Sequence, residues 1–121
     1  MKTTGADTTT IDFIEPMYAL VVRNIPKGED WLYEVKFDGY RCLVGRDKNG
    51  VTLWSRRGNL FTSQFPHIAH ACERLPADTL LDGEIVAIDN NGRISFNLLQ
   101  HHRSHAQAAA VLCVRCDCFP S

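Results

Sequence analysis

The chain has 121 residues, 45% hydrophobic and 22% charged, the profile of one ordinary domain with one core. Thirteen Lys and Arg against fourteen Asp and Glu give a formal net charge of -1, so no global basic field holds nucleic acid and any such contact falls to a local patch. No apolar run approaches the roughly 20 residues of a membrane helix, and five cysteines without a secretory signal read as reduced thiols, so the expectation is a cytoplasmic protein with no membrane contact.

Residues 1–12 are polar and threonine-rich and are expected to be flexible, leaving residues 13–121 to form the folded unit. From Trp31 the apolar residues Trp31, Tyr33, Val35 and Phe37 alternate with Leu32, Glu34, Lys36 and Asp38, a period of two that predicts a half-buried strand with Glu34, Lys36 and Asp38 on one face. Gly39 interrupts it. Tyr40 to Val44 and Val51 to Arg56 then read as two strands joined through Asp47-Lys48-Asn49-Gly50, a hairpin carrying Arg41, Arg46, Arg56 and Arg57 as a local basic patch.

Ser63 is the expected cap of a helix whose apolar positions Phe65, Ile68, Ala69, Cys72 and Leu75 fall at helical spacing, with Pro76 beyond its end. Residues 79–89 read as a strand broken at Asp82-Gly83, followed by the turn Asn90-Asn91-Gly92. Ser95 starts a second short helix through Phe96 and Leu99, which 106–110 would prolong, and 111–118 reads as a terminal strand. Cys113, Cys116 and Cys118, with His101, His102 and His105 near in sequence, are either a set of soft ligands for zinc or small buried thiols beside a polar helix end.

Chemistry concentrates in Glu34-Val35-Lys36-Phe37-Asp38-Gly39-Tyr40-Arg41, where a lysine lies between two carboxylates, a glycine permits close backbone approach and an arginine follows. This stretch resembles the nucleotidyl-transfer motif of the covalent nucleotidyltransferases, in the wording of bacterial ATP-dependent DNA ligases of the end-joining type. Phe13-Ile14-Glu15-Pro16-Met17 is similar to that family's domain opening. Ser55-Arg56-Arg57-Gly58 resembles its second motif, Leu81-Asp82-Gly83-Glu84-Ile85-Val86 its third, and Ser95-Phe96-Asn97-Leu98-Leu99-Gln100 the helix that follows. Any one match alone reads as solvated charge or a turn; their order together carries the resemblance.

The resemblance implies an α+β fold, an antiparallel nucleotidyltransferase sheet of the DNA-ligase and mRNA-capping, ATP-grasp-like kind with flanking helices, here as the N-terminal part of an adenylation domain. It implies Lys36 as catalytic nucleophile, attacking the α-phosphate of ATP to leave a lysyl-adenylate. A neutral amine is required for that attack, and lysine reaches neutrality when desolvated or set near other cations. Glu34 corresponds to the residue that reads the adenine edge, Arg41 to a phosphate contact, Arg56 to a ribose contact, and Glu84 to the glutamate that binds ribose or places the divalent metal, Mg²⁺ or Mn²⁺. Nicked or broken duplex DNA is the implied partner.

The chain departs from that pattern near its end. Cys116 stands where the family places an aromatic that stacks on adenine, within Val114-Arg115-Cys116-Asp117-Cys118. The fourth motif, the lysines of the fifth and the OB-fold domain do not follow, so the expectation is a domain truncated after the third motif. Charge developing at the α-phosphate would then lack its main fixed cations. Self-adenylation is expected to be weak and nick sealing absent, with a non-catalytic remnant that binds nucleotide, DNA or a partner weakly as the rival reading. Unpaired edge or apolar surface around 111–118 would favour self-association.

Overall fold

The structure, a computed structural model, describes residues 10–33, 35–101 and 109–114. Strands β1 (Tyr40–Asp47) and β2 (Gly50–Ser55) form the expected hairpin. Its turn is fixed by Asp47, whose Oδ1 accepts from the backbone N–H of Asn49 at 2.8 Å while Oδ2 accepts from that of Ile11 at 3.0 Å. These two backbone N–H groups, Ile11 first, hold the Asp47 carboxyl below its usual range.

Helix α1 (Pro66–Cys72) follows. Its cap is Phe65, with no side-chain bond, so Ser63 does not cap it; Pro66 opens the helix instead, at a position where its missing N–H costs nothing. Ile68 and Cys72 are its buried residues, as the spacing predicts. Strand β3 (Thr79–Ile88) runs unbroken through Asp82 and Gly83, because both find partners on β1: Asp82 opposite Leu43 and Gly83 opposite Cys42. Helix α2 (Phe96–Gln100) begins at Ser95, whose hydroxyl accepts from the Leu98 N–H at 3.3 Å. Strand β4 (Ala109–Val114) begins two residues earlier than the sequence suggests. It takes Ala109 and Ala110 out of the proposed helix extension, and what was expected of 115–118 lies outside the described residues.

The four strands form one antiparallel sheet in the order β2-β1-β3-β4. Alternation gives it two apolar faces. Cys42, Val44, Leu53, Ile85 and Ala87 meet Phe65, Ile68, Cys72 and Leu99, so both helices cover one face. On the other face Leu43, Trp54 and Val86 are buried. Phe13 packs edge-on against Trp54 there, at 6.4 Å between centroids, which brings the N-terminal segment across this second face.

The strand expected over 31–38 does not form among its described residues. Trp31, Leu32, Tyr33 and Val35 are all more than half exposed. Alternation alone does not make a strand; a ladder partner must satisfy its backbone groups. Within the described residues neither outer strand of the sheet, β2 or β4, pairs with this segment.

Candidate nucleotide cleft

The register of β1 against β3 brings the candidate residues together. Arg41 lies directly opposite Glu84, and Asp82 stands one pair further along on the same face. The Arg41 guanidinium meets the Asp82 carboxylate in a two-pronged pair, Nε to Oδ1 at 3.0 Å and Nη2 to Oδ2 at 2.5 Å. Its Nη1 donates to the carbonyl of Met17 at 2.8 Å. The bond to Asp82, with the field of Asp82 and Glu84, raises the Arg41 pKa above its ordinary value against the opposing effect of burial. Three of the five guanidinium N–H donors are thus spent on the protein itself, leaving one on each Nη for a ligand.

Arg56 follows β2 in a tight turn. The Ser55 hydroxyl accepts from the N–H groups of Arg57 at 3.3 Å and Asn59 at 3.1 Å, while the Ser55 N–H donates to the Asn59 carbonyl at 2.7 Å. Gly58 closes this turn with φ of 85°, a left-handed conformation that disfavours side chains, and an added Cβ would also stand 3.2 Å from the Phe13 ring. The turn presents Arg56 and Arg57 at the end of the sheet where β1 begins.

There a cleft of about 500 Å³ opens, lined by charged Arg41, Arg56, Arg57 and Glu84 and by the rings of Tyr18, Tyr40 and Phe61. Gly39 lies on its wall. A Cβ at Gly39 would come 2.1 Å from the Ile85 carbonyl oxygen, so the glycine permits the chain to approach β3 as it enters β1. The sequence-derived candidates Arg41, Arg56 and Glu84 therefore share one cavity. Lys36 does not line it: it is exposed, in the segment whose described residues form no strand. Glu34 lies outside the described residues.

Two residues of the site were missed in the sequence. Asp82 read as half of a turn, although its parity with Glu84 along a continuous strand would have placed it on the same face. Tyr18 gave no local signal, because the residues it touches lie far along the chain: its ring is 5.8 Å from the Arg41 guanidinium carbon and 5.5 Å from that of Arg56. No group of three His, Cys, Asp or Glu side chains suited to a metal occurs among the described residues. Of the zinc candidates, His102, His105, Cys116 and Cys118 lie outside those residues.

An antiparallel sheet flanked by helices, entered through a Lys-x-Asp-Gly segment and with Arg41, Glu84 and, from the turn after β2, Arg56 around one cleft, has the nucleotidyltransferase fold that the sequence resemblance implies. The comparisons with known proteins narrow the class. The model of the ATP dependent DNA ligase domain matches residues 16–119, and the chain belongs to that family.

Among relatives, the multifunctional non-homologous end joining protein LigD of Pseudomonas aeruginosa is 35% identical over 114 residues, covering 93% of this chain and 14% of that protein. The bifunctional LigD of Bacillus subtilis is 41% identical over 92 residues, covering 69% of this chain and 15% of that protein. Two solved structures share the fold. A mycobacterial DNA ligase D complexed with ATP and MES superposes with a TM-score of 0.57 at 34% identity, over 67% of this chain and 27% of that one. The ligase domain of Mycobacterium tuberculosis LigD gives 0.58 at 33%, over 68% and 27%. The chain thus spans a minor part of the length of each.

Proposed function

We propose that this chain carries the nucleotide-recognition part of an ATP-dependent DNA ligase adenylation site, with Lys36 as the residue that takes AMP from ATP. The observation that carries the reading is the convergence of Arg41, Arg56 and Glu84 on one cleft from three separate stretches of sequence. Arginine forks suit phosphate oxygens, and Glu84 supplies an acceptor for ribose hydroxyls or a ligand for Mg²⁺ or Mn²⁺. A single carboxylate fits that metal, because such ions take one or two protein carboxylates and complete their shell with substrate phosphates and water. Bound there, the cation would neutralise phosphate charge. Glu34 is the residue proposed for the adenine edge.

In the reaction the Lys36 amine, once it has given up its proton, donates its lone pair to the α-phosphorus. A nitrogen–phosphorus bond forms, the bond from that phosphorus to the bridging oxygen breaks, pyrophosphate departs with the electron pair, and the amine proton passes to solvent. Lys36 stands outside the sheet, so the step requires its segment to fold onto the cleft and proceeds slowly in this chain. The exposure of Lys36 also favours a second reading, a module that binds nucleotide or DNA without transferring AMP.

Incubation with ATP and Mg²⁺ or Mn²⁺, followed by intact mass measurement, separates the two. The expected result is partial gain of one AMP by the wild type and none by Lys36→Ala. No gain under conditions that label a full-length relative overturns the transfer step, and label persisting in Lys36→Ala overturns the choice of nucleophile.

By extension from the family, nicked or broken duplex DNA is the proposed partner, met by the arginines of the β1–β2 hairpin in a cytoplasmic setting. No helix among the described residues is long and apolar enough to cross a membrane. Self-association belongs to the same proposal. Val111 and Val114 on outer strand β4 are exposed, and an apolar groove of about 400 Å³ lies between α1 and β4. Sedimentation that shows no dependence on concentration would overturn that part.

A further inference from the structure

Tyr18 sits at the mouth of the cleft, 47% exposed, so burial does little to explain its place. Its ring accepts two guanidiniums, Arg41 from β1 at 5.8 Å and Arg56 from the turn after β2 at 5.5 Å. Its hydroxyl donates to the carbonyl of Arg56 at 3.2 Å, and the neighbouring Met17 carbonyl accepts from Arg41 Nη1. Asp82 and the Met17 carbonyl already hold Arg41, whereas the Arg56 guanidinium, carried on the turn after β2, would without the ring be repelled by that neighbouring cation. An aromatic face offers each a negative quadrupole and holds both near one ring.

We infer that Tyr18 is a positioning residue for phosphate recognition: its ring gathers Arg41 and Arg56 so that a single phosphate group in the cleft meets both. The inference rests on reading the cleft as a phosphate site and names the residue that organises it. Asp82 fixes one edge of the Arg41 guanidinium and Tyr18 its approach, while Arg56 has its own backbone carbonyl tied to the Tyr18 hydroxyl. The phosphate belongs either to a nucleoside polyphosphate or to the 5′ end of a DNA strand.

Calorimetric titration of wild type, Tyr18→Phe, Tyr18→Leu and Tyr18→Ala tests it, with ATP, pyrophosphate, adenosine and a short duplex bearing either a 5′-phosphate or a 5′-hydroxyl as probes. Loss of two exposed cation–π contacts is expected to weaken phosphate-bearing probes about 5- to 30-fold in Tyr18→Ala and Tyr18→Leu. Tyr18→Phe, which keeps the ring, stays within about two-fold. Adenosine and the 5′-hydroxyl duplex bind each variant as they bind wild type. A loss confined to ATP and pyrophosphate assigns the site to the nucleotide; a loss confined to the 5′-phosphorylated duplex assigns it to the strand end. Unchanged phosphate affinity in Tyr18→Ala, or equal weakening of adenosine, overturns the inference while the cleft reading stands. A wild type that binds none of the phosphate probes overturns the cleft reading and the inference with it.

Discussion

Two neighbouring stretches of this chain are both rich in apolar residues and meet different fates. Residues 40–47 form a central strand, flanked by β2 on one side and β3 on the other. Residues 31–38, with Trp31, Tyr33, Val35 and Phe37 at alternate positions, form no strand among those described and leave their apolar side chains exposed. The difference teaches that alternation states what a segment would bury, while the ladder decides whether it does. It also divides the candidate chemistry. Arg41, Arg56 and Glu84 are placed by hydrogen-bonded strands and a tight turn, and Lys36 by neither.

The contrast can be broken most severely in the paired region. Ile85 is fully buried at the centre of the sheet, and Ile85→Ala is expected to cost about 2–5 kcal/mol in chemical denaturation. Leu32, 93% exposed, should change by less than about 0.5 kcal/mol when replaced by alanine. A comparable loss at Leu32 would mean that 31–38 is packed after all. Next in size is Gly39→Ala, at the junction of the two regions. The added Cβ meets the Ile85 carbonyl oxygen, a backbone atom that cannot turn aside, and the expected cost is about 1–3 kcal/mol with a displaced start to β1.

Asp82→Asn should cost about 1–2 kcal/mol, since a partly exposed two-pronged pair with Arg41 becomes a weaker neutral–ionic one. The buried face of the sheet also carries an alkaline effect. Burial, with the field of Cys72, pushes the Cys42 thiol from 9.0 up to about 12. The unfolded chain releases this proton first, so the contribution is whole below about pH 9 and falls as pH rises towards 12. Equilibrium unfolding followed from pH 8 to 11 should show that decline, less steeply in Cys42→Ala.

Much of the sheet was legible in the sequence. The hairpin turn around Asp47 and Gly50 carries its own bonding pattern, Ser95 caps its helix locally, and Ile68 and Cys72 fall at helical spacing. Asp82-Gly83 misled because residues that favour turns also fit a strand when β1 supplies a partner. The grouping of Arg41, Arg56 and Glu84 followed from resemblance rather than from spacing, since strand register is set by contacts across the sheet. The Arg41–Asp82 pair and the Tyr18 ring could not be read from local pattern, as they join residues 41 and 23 positions apart or more. Exposure of Lys36 ran against a strand pattern that finds no ladder partner among the described residues.

We propose that recognition and reaction lie in separate regions, the first in the paired sheet and the second in the segment before it. ATP titrated against wild type, Lys36→Ala and Arg56→Ala tests this division directly. Lys36→Ala is expected to bind ATP within about two-fold of wild type, whereas Arg56→Ala, which removes a charged hydrogen-bond donor from the cleft, is expected to lose about ten-fold or more. Loss of ATP affinity in Lys36→Ala with none in Arg56→Ala would contradict it.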